Sequence, residues 1–112
     1  MLEQIKNTAN FLKQKTNCNP KAGIILGSGL GSFVDEVKIR FSIAYDEIPD
    51  FPTSTVEGHE GKLIFGLIDE KEVVVMQGRF HYYEESDIHK VVFPIRVMKF
   101  LGVKNLIISN AS

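Results

Sequence analysis

The chain has 112 residues, 44% of them hydrophobic, with 13 basic and 14 acidic side chains and a formal net charge of −1. That length suits one domain or part of one, and a near-neutral balance offers no general field for nucleic acid or an anionic membrane. No apolar run approaches the ~18 residues that span a bilayer, the first twenty residues hold no secretory core, and the lone Cys18 forms no intrachain disulfide, which fits a cytoplasmic setting.

Leu2, Ile5, Ala9 and Leu12 recur at spacings of three and four, which predicts an amphipathic helix over residues 2–16, stopped by Asn17, Asn19 and Pro20. "AGIIL" (22–26) reads as a short buried strand. "GSGLGS" (27–32) follows, and "FVDEV" (33–37) reads as a first helical turn. Residues 45–61, with Pro49, Pro52, Gly58 and Gly61, read as a long ordered loop of the kind that often carries function. "KLIFGLIDEKEVVVMQG" (62–78) predicts a hairpin turning at Asp69-Glu70-Lys71. Ile88, Val91, Val92, Ile95, Met98 and Leu101 mark a helix capped by Ser86 and closed by Gly102, with Pro94 expected to kink it or disturb its hydrogen bonding. "NLIIS" (105–109) is a further short buried strand.

Strands alternating with helices, and strands without a polar alternating face, predict an α/β fold: a mixed, largely buried β-sheet flanked by helices. A central-type strand with almost nothing after it points to residues 1–112 being the N-terminal portion of a single, larger α/β domain.

Three strand ends carry residues with chemistry: Gly27-Ser28-Gly29-Leu30-Gly31, the run Arg79–Glu84, and Asn110-Ala111-Ser112. Ligands of α/β sheets lie outside the carboxyl ends of strands, so the three can converge on one crevice. The glycine stretch is neither G-x-G-x-x-G nor a P-loop. Its backbone N–H groups and the Ser28 hydroxyl suit a phosphate-sized anion, and a tight turn without ligand fits equally well. Arg79 offers a planar fork for two oxygens of a phosphate or carboxylate. In an extended segment Arg79, His81 and Tyr83 share one face, with Phe80 and Tyr82 on the other. A surface arginine beside packing tyrosines is the plainer alternative. His59 sits in the long loop, where a histidine is usually only solvated, and His89 falls on the polar side of its helix. No His or Cys spacing resembles a metal site. Met76 and Met98 read as core filling, and the acidic residues of 46–50 as a solvated edge.

Five collinear stretches resemble the trimeric, nucleoside phosphorylase-I type of purine nucleoside phosphorylase: "GIILGSGLG" (23–31), "IPDFPTSTVEGHEGKLIFG" (48–66), "VVMQGRFHYYE" (74–84), "VVFPIRVMKFLGV" (91–103) and "NLIISNAS" (105–112). The resemblance implies reversible phosphorolysis of purine (2′-deoxy)ribonucleosides to free purine and (deoxy)ribose 1-phosphate, by a cytoplasmic homotrimer without metal or organic cofactor. It maps the phosphate site onto Ser28, Arg79, His81 and the backbone N–H of Ala111, with His59 close to phosphate and sugar and Tyr83 on the ribose. Arg79 and His81 are the residues it makes catalytic, while Glu84 and Asn110 support the site. Downstream of the matched stretches the family supplies a Gly-Gly pair and a Glu and an Asn that read the purine, none of them within these 112 residues. The chain alone is therefore expected to hold the phosphate and ribose side of the site and to lack phosphorylase activity. The alternative is a non-catalytic phosphate-binding or oligomerising fragment, and a methylthioadenosine or xanthosine phosphorylase is a close variant.

Overall fold

A computed structural model of the chain describes residues 2–26, 35–51, 61–77 and 88–109, without the side chains of 88–91 and 109. Within them, α1 (Leu2–Thr16) is followed by β1 (Ala22–Leu26), β2 (Lys38–Ala44), a 3-10 turn (Tyr45–Glu47), β3 (Lys62–Ile68), β4 (Lys71–Gln77), α2 (Ile88–Phe100) and β5 (Asn105–Ser109). The strands form one five-stranded mixed sheet in the order β2-β3-β4-β1-β5. β1 runs parallel to β4 and β5, whereas β2, β3 and β4 form an antiparallel meander.

Both sheet faces bury apolar side chains, which is why β1, β3 and β4 read as unbroken apolar runs. One face sends Ile43, Leu63, Phe65, Val74 and Met76 into a core shared with Ile5, Ala9 and Leu12 of α1 and Phe93, Val97, Met98 and Leu101 around α2. The other gathers Ile24, Leu26, Val37, Ile64, Val73 and Val75. Met76 and Met98 are buried in the first cluster, as core-filling residues should be.

Local signals set the element ends. Asn17 adopts φ 53° and its N–H donates to the Lys13 carbonyl at 2.7 Å, ending α1 in the left-handed cap that asparagine tolerates. α2 closes in a Schellman arrangement. The Val103 N–H donates to Met98 O at 3.1 Å and the Gly102 N–H to Lys99 O at 3.1 Å, with Gly102 at φ 105°. The hairpin turns at Asp69 (φ 49°) and Glu70 (φ 68°), the two positive angles of a type I′ loop.

Four expectations change. β5 is expected as a buried strand, but among the described residues Leu106, Ile107 and Ile108 are exposed. The turn expected over 33–37 is described only from residue 35, where Asp35-Glu36 make a 3-10 step rather than opening a helix, and β2 then starts at Lys38. Its sequence, KIRFSIA, alternates polar and apolar, the period of a strand that is polar on one face, and it occupies an edge. Leu2 does not join the buried face of α1 but is 56% exposed. α2 buries Phe93, Pro94, Val97 and Met98, with Leu101 buried just past its end, so its buried face is rotated from the expected one, with Val92 and Ile95 only half-buried. The helix is apolar nearly all round, and periodicity alone does not choose a side. α2 runs through Pro94 as one element. Ser86 lies outside the described residues.

Candidate active site

The registers bring one set of chain ends to one edge of the sheet. Ile25 pairs with Met76 and Leu26 with Ser109, so the carboxyl ends of β4, β1 and β5 lie side by side. Adjacent strands are ~4.8 Å apart, which puts the outer two of these ends roughly 10 Å apart. β3 starts at the same edge, with Lys62 opposite Gln77, and β2 finishes there, with Ala44 opposite Lys62. Every candidate from the sequence is tethered to this edge by a short length of chain. Ser28 follows Leu26 by two residues, and Arg79 follows Gln77 by two. His81, Tyr83 and Glu84 come next, Asn110 and Ala111 directly follow Ser109, and His59 precedes Lys62 by three. All eight lie outside the described residues, as does the glycine stretch. His89 lies in α2 with its side chain outside them too.

The described part of the loop over 45–61 has a built neck that the sequence reading does not single out. The Tyr45 N–H donates to the Gly61 carbonyl at 3.1 Å, so the loop is tied where it leaves β2 and enters β3. The Tyr45 ring lies against the Cα of Gly61 so closely that any Cβ there would overlap it. Behind it, Tyr45 packs on Phe51 at 5.1 Å between centroids, and Phe51 meets Phe93 of α2 edge-on at 6.3 Å and 76°. Burial, which opposes ionisation, pushes the Tyr45 phenol well above its usual pKa. Thr8 of α1 reaches the same segment through Pro49 O, 2.8 Å from its hydroxyl. The signal available in sequence was two aromatics among the prolines and a glycine at the foot of β3. Asp46, Glu47 and Asp50 are exposed, as a solvated edge requires.

Among the described residues no cluster of three or more His, Cys, Asp or Glu side chains is placed to hold a metal ion, and no helix is long and apolar enough to cross a membrane. Cys18 is a buried thiol whose Sγ lies 3.4 Å from the Thr16 carbonyl oxygen.

Ligands of α/β sheets lie outside the carboxyl ends of parallel strands, and comparison with known proteins bears on what this chain is similar to. A solved purine nucleoside phosphorylase in complex with ribose-1-phosphate superposes with TM-score 0.90 at 51% identity, covering 98% of this chain and 40% of that one. Schistosoma mansoni purine nucleoside phosphorylase in complex with inosine gives TM-score 0.88 at 50% identity, covering 97% and 38%. Purine nucleoside phosphorylase 1 of Geobacillus stearothermophilus is 55% identical over 108 residues, 96% of this chain and 39% of that protein. The Bacillus subtilis protein of the same name is 50% identical over 112 residues, 100% and 41%. No protein-family model matches. Along its length the chain is homologous to purine nucleoside phosphorylases, and it spans about two fifths of the length of the curated relatives it matches.

Proposed function

We propose that residues 1–112 are the N-terminal portion of a purine nucleoside phosphorylase domain and carry the phosphate and ribose side of its site. The observation that carries this reading is the gathering of the β1, β4 and β5 carboxyl ends and the β2–β3 loop at one edge. It occurs in a chain 55% identical to the G. stearothermophilus protein. The reaction is reversible phosphorolysis of a purine (2′-deoxy)ribonucleoside. A phosphate oxygen bonds to the anomeric carbon as the carbon–nitrogen bond to the purine breaks, and the purine leaves with the electron pair.

The sugar passes through an oxocarbenium-like state comparable to that of glycoside hydrolysis. Phosphate is itself the nucleophile, so the protein's work is positioning and charge stabilisation. In this reading Arg79 pairs two phosphate oxygens, and Ser28 and the Ala111 N–H donate to the anion. His81 donates a further hydrogen bond, His59 lies near phosphate and sugar, and Tyr83 meets the ribose. Glu84 and Asn110 hold the surrounding chain. Inorganic phosphate is a co-substrate and no further cofactor is needed. The complete enzyme is a cytoplasmic homotrimer, and its purine-reading residues come from sequence beyond these 112 positions.

Titration of the chain with inorganic phosphate and with ribose 1-phosphate tests this. Saturable binding of both, weakened roughly ten- to hundredfold in Arg79→Ala, is expected, with no turnover of inosine. Absence of binding in a folded chain overturns the reading.

A further inference from the structure

Tyr45 ends β2 at the edge where the strand ends gather, and the chain is fastened to it twice. Two successive turns carry the backbone away from β2. The Ile48 N–H donates to Tyr45 O at 3.1 Å, and the Phe51 N–H donates to Ile48 O at 3.2 Å. Pro49 and Asp50, the latter at φ 60°, form the corner of the second turn, where a positive φ follows proline. The turns bring the Phe51 ring to 5.1 Å from the Tyr45 ring. The same Tyr45 ring closes on Gly61, whose carbonyl accepts the Tyr45 N–H. One buried side chain therefore holds Phe51 and Gly61, the residues on either side of 52–60. Both helices brace it, α1 through the Thr8 hydroxyl on Pro49 O and α2 through Phe93 on Phe51.

Stability alone does not call for this geometry, because a ring buries well against an ordinary methyl group. Glycine lets the ring approach the backbone itself, and the root of β3 sits closer to Tyr45 by the width of that methyl. His59 precedes Gly61 by two residues, and a trans chain of that length reaches no further than about 7 Å. We propose that Tyr45 is a positioning residue, which through Gly61 sets where His59 stands relative to the bound anion; this rests on the phosphate and ribose reading above. Tyr45 itself touches no substrate. Fixing both roots of a loop in advance removes closure entropy that binding would otherwise have to supply. Lys62, next after Gly61, pairs with Gln77, two residues before Arg79, so the clamp shares the sheet edge with the start of the Arg79–Glu84 run.

Nuclear magnetic resonance of the histidine imidazoles at saturating inorganic phosphate tests this in the full chain, with signals assigned from His59→Gln and His81→Gln. In the parent, phosphate is expected to shift both His59 and His81. In Gly61→Ala the His81 shift persists and the His59 shift is lost. Gly102→Ala, destabilising but placed beside Pro20 at the amino end of β1, keeps both. A His59 shift that survives Gly61→Ala, or that is lost equally in Gly102→Ala, overturns the inference. So does a parent in which phosphate moves His81 and not His59. A parent in which it moves neither overturns the phosphate reading, and this inference with it. Should Gly61→Ala fail to fold, two substitutions of the ring decide. Tyr45→Phe keeps the ring and should keep the His59 shift, whereas Tyr45→Leu should lose it while His81 still responds. The same His59 response in both overturns the inference.

Discussion

The hydroxyl of Thr8 in α1 lies 2.8 Å from the carbonyl oxygen of Pro49, 41 positions away, and 2.9 Å from that of Gln4 one turn back. One hydroxyl hydrogen serves two acceptors, and the longer-range one fastens α1 to the segment that leaves β2. Thr8 is fully buried, so removing the hydroxyl is felt. Thr8→Val keeps the shape and deletes the donor, which costs about 1 kcal/mol, a fall in melting temperature of about 4–8 °C for a chain near this size. Thr8→Ser should retain most of the stability. Thermal unfolding followed by circular dichroism checks both.

Gly61→Ala is a severe single-methyl change, because the new Cβ overlaps the Tyr45 ring. That ring is backed by Phe51, which is backed by Phe93, so it has little room to retreat. Overpacking of this kind costs about 1–3 kcal/mol. In the Tyr45→Leu background the same substitution should cost less, since the flat obstacle is gone. Urea midpoints for the two single variants and the double variant measure the coupling; additive costs would mean that Tyr45 is not the obstacle.

Much of this fold was legible in the sequence where the local signal and the tertiary environment agreed. The bounds of α1, β1, β5 and, as far as Gln77, the 62–78 hairpin follow from periodicity and turn residues, and the structure keeps them. β2 escaped although KIRFSIA alternates cleanly, because the glycine stretch after β1 favoured a strand-to-helix reading that left no room for an edge strand. The buried side of α2 escaped because Val92, Phe93, Ile95, Val97 and Met98 leave few polar positions to orient the helix, and only the partner surfaces decide. Ser28, Arg79 and His81 lie outside the described residues and their roles rest on the resemblance, while the meeting of strand ends was legible as topology. The clamp of Tyr45 on Gly61 was not, since it depends on the close approach of two positions sixteen apart through an irregular segment.

Backbone angles give two predictions of opposite sign. Glu70 holds φ 68° in the hairpin turn, a left-handed conformation that costs an L-residue other than Gly, Asn or Asp about 1 kcal/mol. Glu70→Gly should therefore stabilise the chain by about 0.5–1 kcal/mol. Gly102 holds φ 105° at the end of α2, and Gly102→Ala should destabilise by a similar or larger amount. Chemical denaturation of the two variants checks the signs.

The buried Tyr45 phenol makes stability fall in alkali. Its folded pKa is raised by burial, so its contribution is fully present below the unfolded tyrosine value of about 10 and is lost as pH rises from there toward the folded pKa. The unfolded chain ionises this phenol and the folded one does not, which favours unfolding by up to about 1.4 kcal/mol per pH unit. Tyr45→Phe should flatten the stability curve above pH ~10 while leaving it parallel to the parent near neutrality. Urea unfolding at a series of pH values separates the two slopes, and parallel curves throughout would show that Tyr45 is not the group responsible.

In sequence Arg79 and His81 come two and four residues after β4, whose end pairs beside that of β1, and their proposed role is separable from stability. A charge-assisted pair between a guanidinium and phosphate contributes about 1.5–3 kcal/mol, so Arg79→Ala should weaken phosphate binding roughly ten- to hundredfold. His81→Ala should lose less, because a neutral imidazole donates one hydrogen bond. A binding role predicts that both melt within a few degrees of the parent. Calorimetric titration with inorganic phosphate, paired with melting curves on the same samples, distinguishes a binding role from a structural one. Unchanged phosphate affinity in both variants would remove Arg79 and His81 from the site.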